Sequence, residues 1–380
     1  MDLFGSFFFD LFGNALELTP GMVIMWVLGG LLIYLAIKHD MEPTLLLPIG
    51  FGAILVNLPN SGALTQMVGE HAEIGVIDLL FDSGIANELF PLLLFIGIGA
   101  MIDFGPLLSN PKLMLFGAAA QFGIFFTLCM ASLMGFELKD AASIAIIGAA
   151  DGPTSIFVAN YFKSNYLGAI IVAAYSYMAL VPIVQPPVIR LITTKKERLI
   201  RMPYEQKDVS RATRILFPII ITMITGIVSP RSVALIGFLM FGNLLRECGV
   251  LNNLSETAQK VLANLVTLFL GITIAARMQA SDFLTVRTLM ILGLGLIAFI
   301  FDTVGGVMFA KLLNLFTKNK INPMIGASGI SAFPMSARVV HKMGLAEDNQ
   351  NFLLMHSIGV NVSGQIASVI AGGMILNLIG

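Results

Sequence analysis

Gly148-Ala-Ala-Asp151-Gly-Pro-Thr-Ser155-Ile-Phe-Val-Ala-Asn160 places an aspartate between two apolar runs, Ala141 to Ile147 and Ile156 to Ala159. An ionised aspartate in hydrocarbon is costly, so its presence marks a functional site. Gly152 and Pro153 follow at once. Glycine admits unusual φ values and proline removes a backbone donor, which predicts a helix break at this pair. A broken helix frees carbonyl oxygens. Together with the Asp151 carboxylate and the hydroxyls of Thr154 and Ser155, they make an all-oxygen pocket suited to a hard cation. The plainer role for Asp151 is to cap a buried helix N-terminus, but capping alone does not require a charge in a membrane segment.

The surrounding composition sets that membrane. Hydrophobic residues make up 57% of the 380 and charged residues 12%, and the mean hydropathy is +0.88. A soluble domain carries about 25% charged residues, so the chain reads as polytopic. The net charge of −1 gives no support to nucleic-acid binding. Cys129 and Cys248 lie in apolar segments and suit packing rather than a disulfide framework. His39, His71, His341 and His356 are scattered, so no zinc or iron cluster is expected. The Phe-rich start, residues 1–16, lacks the basic region of a signal peptide and reads as an interfacial amphipathic helix.

Apolar stretches of about 20 residues are candidate crossings. They fall into two groups, residues 20–192 and 215–380, either side of a basic linker at 193–214. Eight of the 22 Lys and Arg residues cluster between Arg190 and Arg214, which puts this linker in the cytoplasm. The acidic Pro59–Asn87 loop is then external. The two groups share features in the same order. Leu94-Phe-Ile-Gly-Ile98 matches Leu268-Phe-Leu-Gly-Ile272, Gly148-Ala149 recurs as Gly326-Ala327, and Gln185 and Gln365 occupy similar places. Ile321–Val340, with two prolines and three serines, is a poor continuous helix and reads as a re-entrant hairpin, the counterpart of the broken Ala141–Asn160 segment. Five crossings plus one hairpin per half invert the second half relative to the first. The expected fold is therefore an all-α polytopic membrane protein of two inverted-topology repeats, with broken helices or re-entrant hairpins meeting near the midplane.

Three stretches would converge there: Asp151–Ser155, Asn322 through Ser331 to Arg338, and Gly359-Val-Asn361-Val-Ser363-Gly364. One carboxylate among neutral oxygens suits a monovalent cation better than a divalent one. Asn322 before Pro323 also reads as a turn initiator, and Asn361 as a residue bonding a neighbouring helix. Asp302, deep in an apolar run, and Arg277 are two further charges. They either neutralise each other or a nearby charge, or Asp302 belongs to a second ion or proton site.

Over nearly its whole length the chain resembles the membrane β-subunit of the sodium-pumping, biotin-dependent decarboxylases, whose complexes act on oxaloacetate, glutaconyl-CoA, methylmalonyl-CoA or malonate. The Asp-Gly-Pro, Asn-Pro-x-x-x-Gly and terminal Gly-x-Asn motifs carry the resemblance. It implies sodium binding by Asp151, Asn322 and Asn361. Gly326, Ser331 and Arg338 match further functional positions, and Arg338 would hold the carboxylate of carboxybiotin. By their place in the same stretches, Ser363 adds a hydroxyl ligand and Gly152, Pro153 and Gly359 shape the site. Tyr177 matches a tyrosine of the family, with Tyr175 the alternative, and is a candidate proton donor or relay, alone or with Asp151. The implied activity is decarboxylation of carboxybiotin on a partner carrier protein, with proton consumption and outward Na+ transport. The implied cofactors are Na+ and biotin. The implied partners are the biotin carrier, a carboxyltransferase subunit and a small membrane anchor subunit in the bacterial cytoplasmic membrane, and a homo-oligomer is compatible with this. A sodium-coupled carboxylate symporter on a similar scaffold is the alternative.

Overall fold

The computed structural model describes residues 13–39, 41–68, 71–203 and 208–380. The interfacial helix expected over residues 1–16 lies outside them, except for 13–16, which are helical. Six described stretches are long and apolar enough to cross a membrane: Pro20–His39, Pro111–Leu133, Leu167–Ile192, Asn252–Arg277, Val286–Phe316 and Leu354–Ile379. A further pair, Val76–Ala86 with Leu89–Met101, is bent by 61° at its break. The chain is an all-α, multi-pass membrane protein. Among the described residues the sheet content is one short hairpin, Gln66–Val68 against His71–Glu73, in the acidic loop.

One compact unit comprises the residues up to Phe90 together with Leu265–Leu289. In it, α1 (Pro20–His39) and α2 (Pro43–Val56) pack backbone to backbone. A Cβ on Gly29 would lie 2.6 Å from the Gly50 carbonyl oxygen. Asn57 ties the end of α2 down, donating to the Ala53 and Met278 carbonyls at 2.8 Å each and accepting from the Ala280 amide. The Arg277 guanidinium lies over the Phe81 ring, 4.5 Å from its centroid.

The second unit, Pro91–Asn264 with Met290–Gly380, holds all the polar membrane stretches. Its transmembrane frame includes α3 (Met114–Ala120) and α4 (Phe122–Leu133), which break from each other at Gln121. Two helical hairpins follow from the sequence breaks. The first runs α5 (Leu138–Ala145), a 3-10 turn at Ile146–Ala149, and α6 (Gly152–Tyr161). Asp140 Oδ1 closes its ends by accepting from the Ser164 hydroxyl at 2.6 Å and the Asn165 amide at 3.2 Å. The chain therefore goes in and returns on one side, at the start of α7 (Leu167–Ile192).

After α8 (Val286–Phe316), the second hairpin runs a 3-10 turn at Pro323–Gly329, an irregular segment over 330–334, and α9 (Met335–Glu347). Its ends are closed on the basic linker, because Asn322 and Asn351 both donate to the Arg198 carbonyl at 2.9 Å. Arg198 pairs with Glu347 and Arg201 with Asp348, each at 2.6 Å. The Arg201 hydrogen bond holds the Asp348 carboxyl below its usual range. At 26 residues α7 is about 39 Å long. Ser164, which closes the first hairpin, precedes α7 in the chain, and Arg198, which closes the second, follows it. The tips of the two hairpins touch where the Ser331 amide donates to the Ala149 carbonyl at 2.9 Å. The last helix, α10 (Leu354–Ile379), runs past both.

The break in the first hairpin precedes Gly152-Pro153 instead of falling on that pair. Asp151 is the N-cap of α6, and Gly152 and Pro153 fill the first turn, where a missing N–H costs nothing. The 3-10 turn and Ala150, at φ 51° in the left-handed region, carry the break. That conformation costs an L-residue about 1–2 kcal/mol, so packing must hold it.

Candidate functional site

Asp151 is buried, and its carboxylate collects donors from two elements. Oδ1 accepts the Thr154 amide at 3.3 Å, which is the cap of α6. Oδ2 accepts the Thr154 hydroxyl at 2.7 Å, the Ser368 hydroxyl at 3.0 Å and the Gln365 amide at 3.1 Å, the last two from α10. The Ser155 hydroxyl donates back to the Asp151 carbonyl at 2.8 Å. The Tyr175 ring lies against Gly152 with no room for a side chain between them, and its buried hydroxyl has no partner. No ion pair forms at Asp151 among the described residues.

The tip of the second hairpin makes the adjoining set of oxygens. Asn361 on α10 donates to the Ile330 carbonyl at 2.6 Å and the Ser328 carbonyl at 3.1 Å, which holds the irregular segment open. The Ser331 hydroxyl donates to the Gly364 carbonyl at 3.1 Å, and Ser363 turns back onto the Val360 carbonyl at 2.6 Å. Asn361 Oδ1 and Ser328 Oγ are buried without hydrogen-bond partners among the described residues. Buried polar atoms are nearly always satisfied, so orphan oxygens held by the same helix that binds the Asp151 carboxylate suit a site that takes a cation. The donor set is hard and almost neutral: one carboxylate, hydroxyls, amide oxygens and backbone carbonyls.

The structure thus brings Asp151, Gly152, Pro153, Ser331 and Asn361 to one region where both hairpin tips meet α10, whereas Ser363, two residues after Asn361, lies on the other side of α10, toward Gly117 of α3. Asn322 is not there. It caps the second 3-10 turn by accepting the Met324 amide at 3.1 Å, and it donates to the Arg198 and Ile200 carbonyls of the linker. Gly326 serves the crossing, where its backbone meets Gly306 of α8 with no space for a Cβ on either residue. Gly359 lies against Leu113. Arg338 is exposed on α9, and its guanidinium makes no ion pair among the described residues. Tyr177 sits against Gly295 and Ile147, and its hydroxyl donates to the Leu292 carbonyl. Of the two tyrosines, Tyr175 is therefore the one beside Asp151.

Gln365 and Ser368 are the residues that sequence reasoning left out of the site. The signal was present, because they follow Asn361 by four and seven positions and so share its helix face. Asp302 Oδ1 accepts the Ile124 amide at the start of α4, and Arg277 lies over Phe81.

Comparison with known proteins adds the family. Residues 21–379 match the model of a family described as the Na+-transporting oxaloacetate decarboxylase beta subunit. The chain is 48% identical over 362 residues to the glutaconyl-CoA decarboxylase subunit beta of Acidaminococcus fermentans, covering 95% of this chain and 94% of that protein. It is 46% identical over 380 residues to the methylmalonyl-CoA decarboxylase subunit beta of Propionigenium modestum, covering 96% of each. It is 44% identical over 420 residues to the oxaloacetate decarboxylase beta chain 2 of Salmonella typhi, covering 96% of this chain and 97% of that one.

Proposed function

This chain belongs to the family of Na+-transporting decarboxylase β subunits, and from that premise we propose that it decarboxylates carboxybiotin presented by a separate carrier protein and moves Na+ outward through the site at Asp151. The observation that carries this reading is a buried carboxylate at a helix break that accepts the Thr154 and Ser368 hydroxyls and the Gln365 amide, while the tip of the second hairpin closes on the same helix α10 through Ser331 and the Gly364 carbonyl. Asp151 supplies the charge for sodium, and Asn361 and Ser331 supply neutral oxygens. Asn322 acts from a distance by fixing the second hairpin to the linker. Arg338, exposed and without an ion pair among the described residues, offers a planar fork to a carboxylate at the cytoplasmic mouth. Loss of CO2 from the carboxylated ring nitrogen consumes one proton. Tyr177 or Tyr175 hands it on. The carrier, a carboxyltransferase and a small anchor subunit complete the complex, and the choice of acid rests with the carboxyltransferase.

The test is sodium uptake by the purified complex in liposomes, with and without avidin. Avidin-sensitive uptake coupled to CO2 release is the expected result, and uptake indifferent to avidin would defeat the biotin reading. In the same assay Tyr177→Phe is expected to lose decarboxylation and keep sodium binding. If it matches wild type, proton supply passes to Tyr175. The symporter alternative is not favoured, because the relatives are named as decarboxylase subunits.

We also propose that residues 20–192 and 215–380 are inverted repeats. Reciprocal glutamines support this. Gln365 in the last helix of the second half binds Asp151 of the first hairpin, and Gln185 in the last helix of the first half binds the Ala327 carbonyl and Ser336 of the second. Inversion has a topological consequence. With Cys129 and Cys248 replaced, single cysteines at Glu137 and Lys196 are expected to react from opposite faces, Lys196 from the cytoplasm. Both are exposed, and α7 lies between them in sequence. Reaction from one face would refute the inverted arrangement.

A further inference from the structure

Asp302, like Asp140, is a buried carboxyl with no part in the cation site described above. It lies on α8 where that helix meets the start of α4 and the 3-10 turn at Ile146–Ala149. Oδ1 accepts the Ile124 amide at 3.2 Å, and the Gly123 amide lies against the same carboxyl group. Oδ2 is buried with no hydrogen-bond partner among the described residues. That oxygen faces the turn, where a Cβ on Gly148 would lie 2.9 Å from it. Gly148 is three residues before Asp151, so at most about 11 Å of chain separates them.

The two oxygens are in different situations. The Ile124 amide and the positive end of α4 favour the ionised form through Oδ1. The bare Oδ2, away from water, favours a neutral group. A carboxyl with both influences acting on it can exist in either state. Its occupant needs only one free oxygen. Sodium requires several, whereas a proton requires one. Few titratable groups face this position. The 3-10 turn carries none. On α4 there is Cys129, which is exposed. On α8 itself Arg287 and Lys311 lie toward the two ends. From α7, Tyr177 packs against Gly295 and Ile147.

We propose that the Asp302 carboxyl is a proton-binding site on the opposite flank of the turn that leads to Asp151. The site stands on its own geometry, and its use in turnover rests on the decarboxylation reading. In that use the bond from the ring nitrogen to the carboxyl carbon breaks, the electron pair stays on nitrogen, and CO2 leaves. The nitrogen gains a proton, and Asp302 gives up one to balance it and later regains one from water. Sodium at Asp151 adds positive charge nearby, so it favours the ionised form of Asp302.

Infrared difference spectroscopy on the intact complex in lipid tests this through the carbonyl stretch of a protonated carboxyl group. Wild type is expected to show the band, and sodium is expected to weaken it. Asp151→Asn should retain the band, Asp302→Glu should shift it, and Asp302→Asn should lose it. Decarboxylation by Asp302→Asn should fall about 10²-fold while sodium binding stays at the wild-type level. A band unchanged in Asp302→Asn, or a full rate, would overturn the proposal. If Asp302→Asn fails to insert, wild type and Asp151→Asn decide, since a band that vanishes in Asp151→Asn belongs to Asp151 and defeats the Asp302 assignment. Normal sodium activation in Asp151→Asn is a separate result. It would sink the cation site and leave the proton site standing on its own band.

Discussion

Asp151→Asn is expected to abolish sodium-dependent decarboxylation while the protein still folds and inserts. Asparagine caps a helix N-terminus as well as aspartate does, so the Thr154 amide keeps an acceptor. What disappears is the charge. Three donors, from Thr154, Gln365 and Ser368, converge on Oδ2. That arrangement suits an acceptor-only carboxylate and leaves an amide NH2 facing donors. Removing the one charged oxygen from a buried cation site costs about 3 kcal/mol or more, which is about 10²-fold in sodium affinity. The measurement is the sodium activation curve of the purified complex, with circular dichroism to establish folding. A wild-type curve would remove Asp151 from the site. Asp151→Ala loses the cap as well, about 1 kcal/mol, and is expected to be less stable besides.

That contrast shows how far the sequence could be read. An acid in an apolar run next to Gly-Pro announces a polar break, and the break is there. Its position was less legible. Proline suits the first turn of a helix as well as it disrupts an interior, so only packing reveals that Ile146–Ala150 is the irregular part. The partners of Asp151 were out of reach, because Gln365 and Ser368 lie more than two hundred residues away along the chain. Their helical phase with Asn361 is visible in the sequence, but which helix they face is not. For Asn322, the local reading of an asparagine before proline describes what its side chain does, which is to cap a turn and grip the linker. The Asp302 and Arg277 charges show the opposite limit. The sequence leaves open whether they neutralise each other or a nearby charge, or whether Asp302 is a second ion or proton site; the fold sets a backbone amide at a helix start against Asp302 and an aromatic ring against Arg277.

The crossing of α8 with the second hairpin yields the other large expected effect. Gly306 and Gly326 meet backbone to backbone, and a Cβ on Gly326 would overlap the Gly306 carbonyl oxygen and come within 2.9 Å of the Val307 amide. These are main-chain atoms of a membrane helix and cannot rotate aside. Gly326→Ala must therefore displace the 3-10 turn at Pro323–Gly329, whose far end carries Ser328, Ser331 and the carbonyls that Asn361 holds. A displacement of about 1 Å at such a site costs about 10²-fold in rate, so Gly326→Ala is expected to lose most turnover through misplacement of the hairpin tip. Gly293→Ala in α8 is the matched control. Nothing lies within 4 Å of the Cβ it would add, and alanine favours a helix interior by roughly 0.5–1 kcal/mol, so stability should rise slightly and turnover should not change. Sodium-activated decarboxylation of both variants, alongside thermal unfolding in detergent, separates the outcomes. Equal rates for Gly326→Ala and wild type would mean that the hairpin tip does not set the geometry of the site. A fall in both variants would point to α8 in general, and not to this one contact, as the sensitive element.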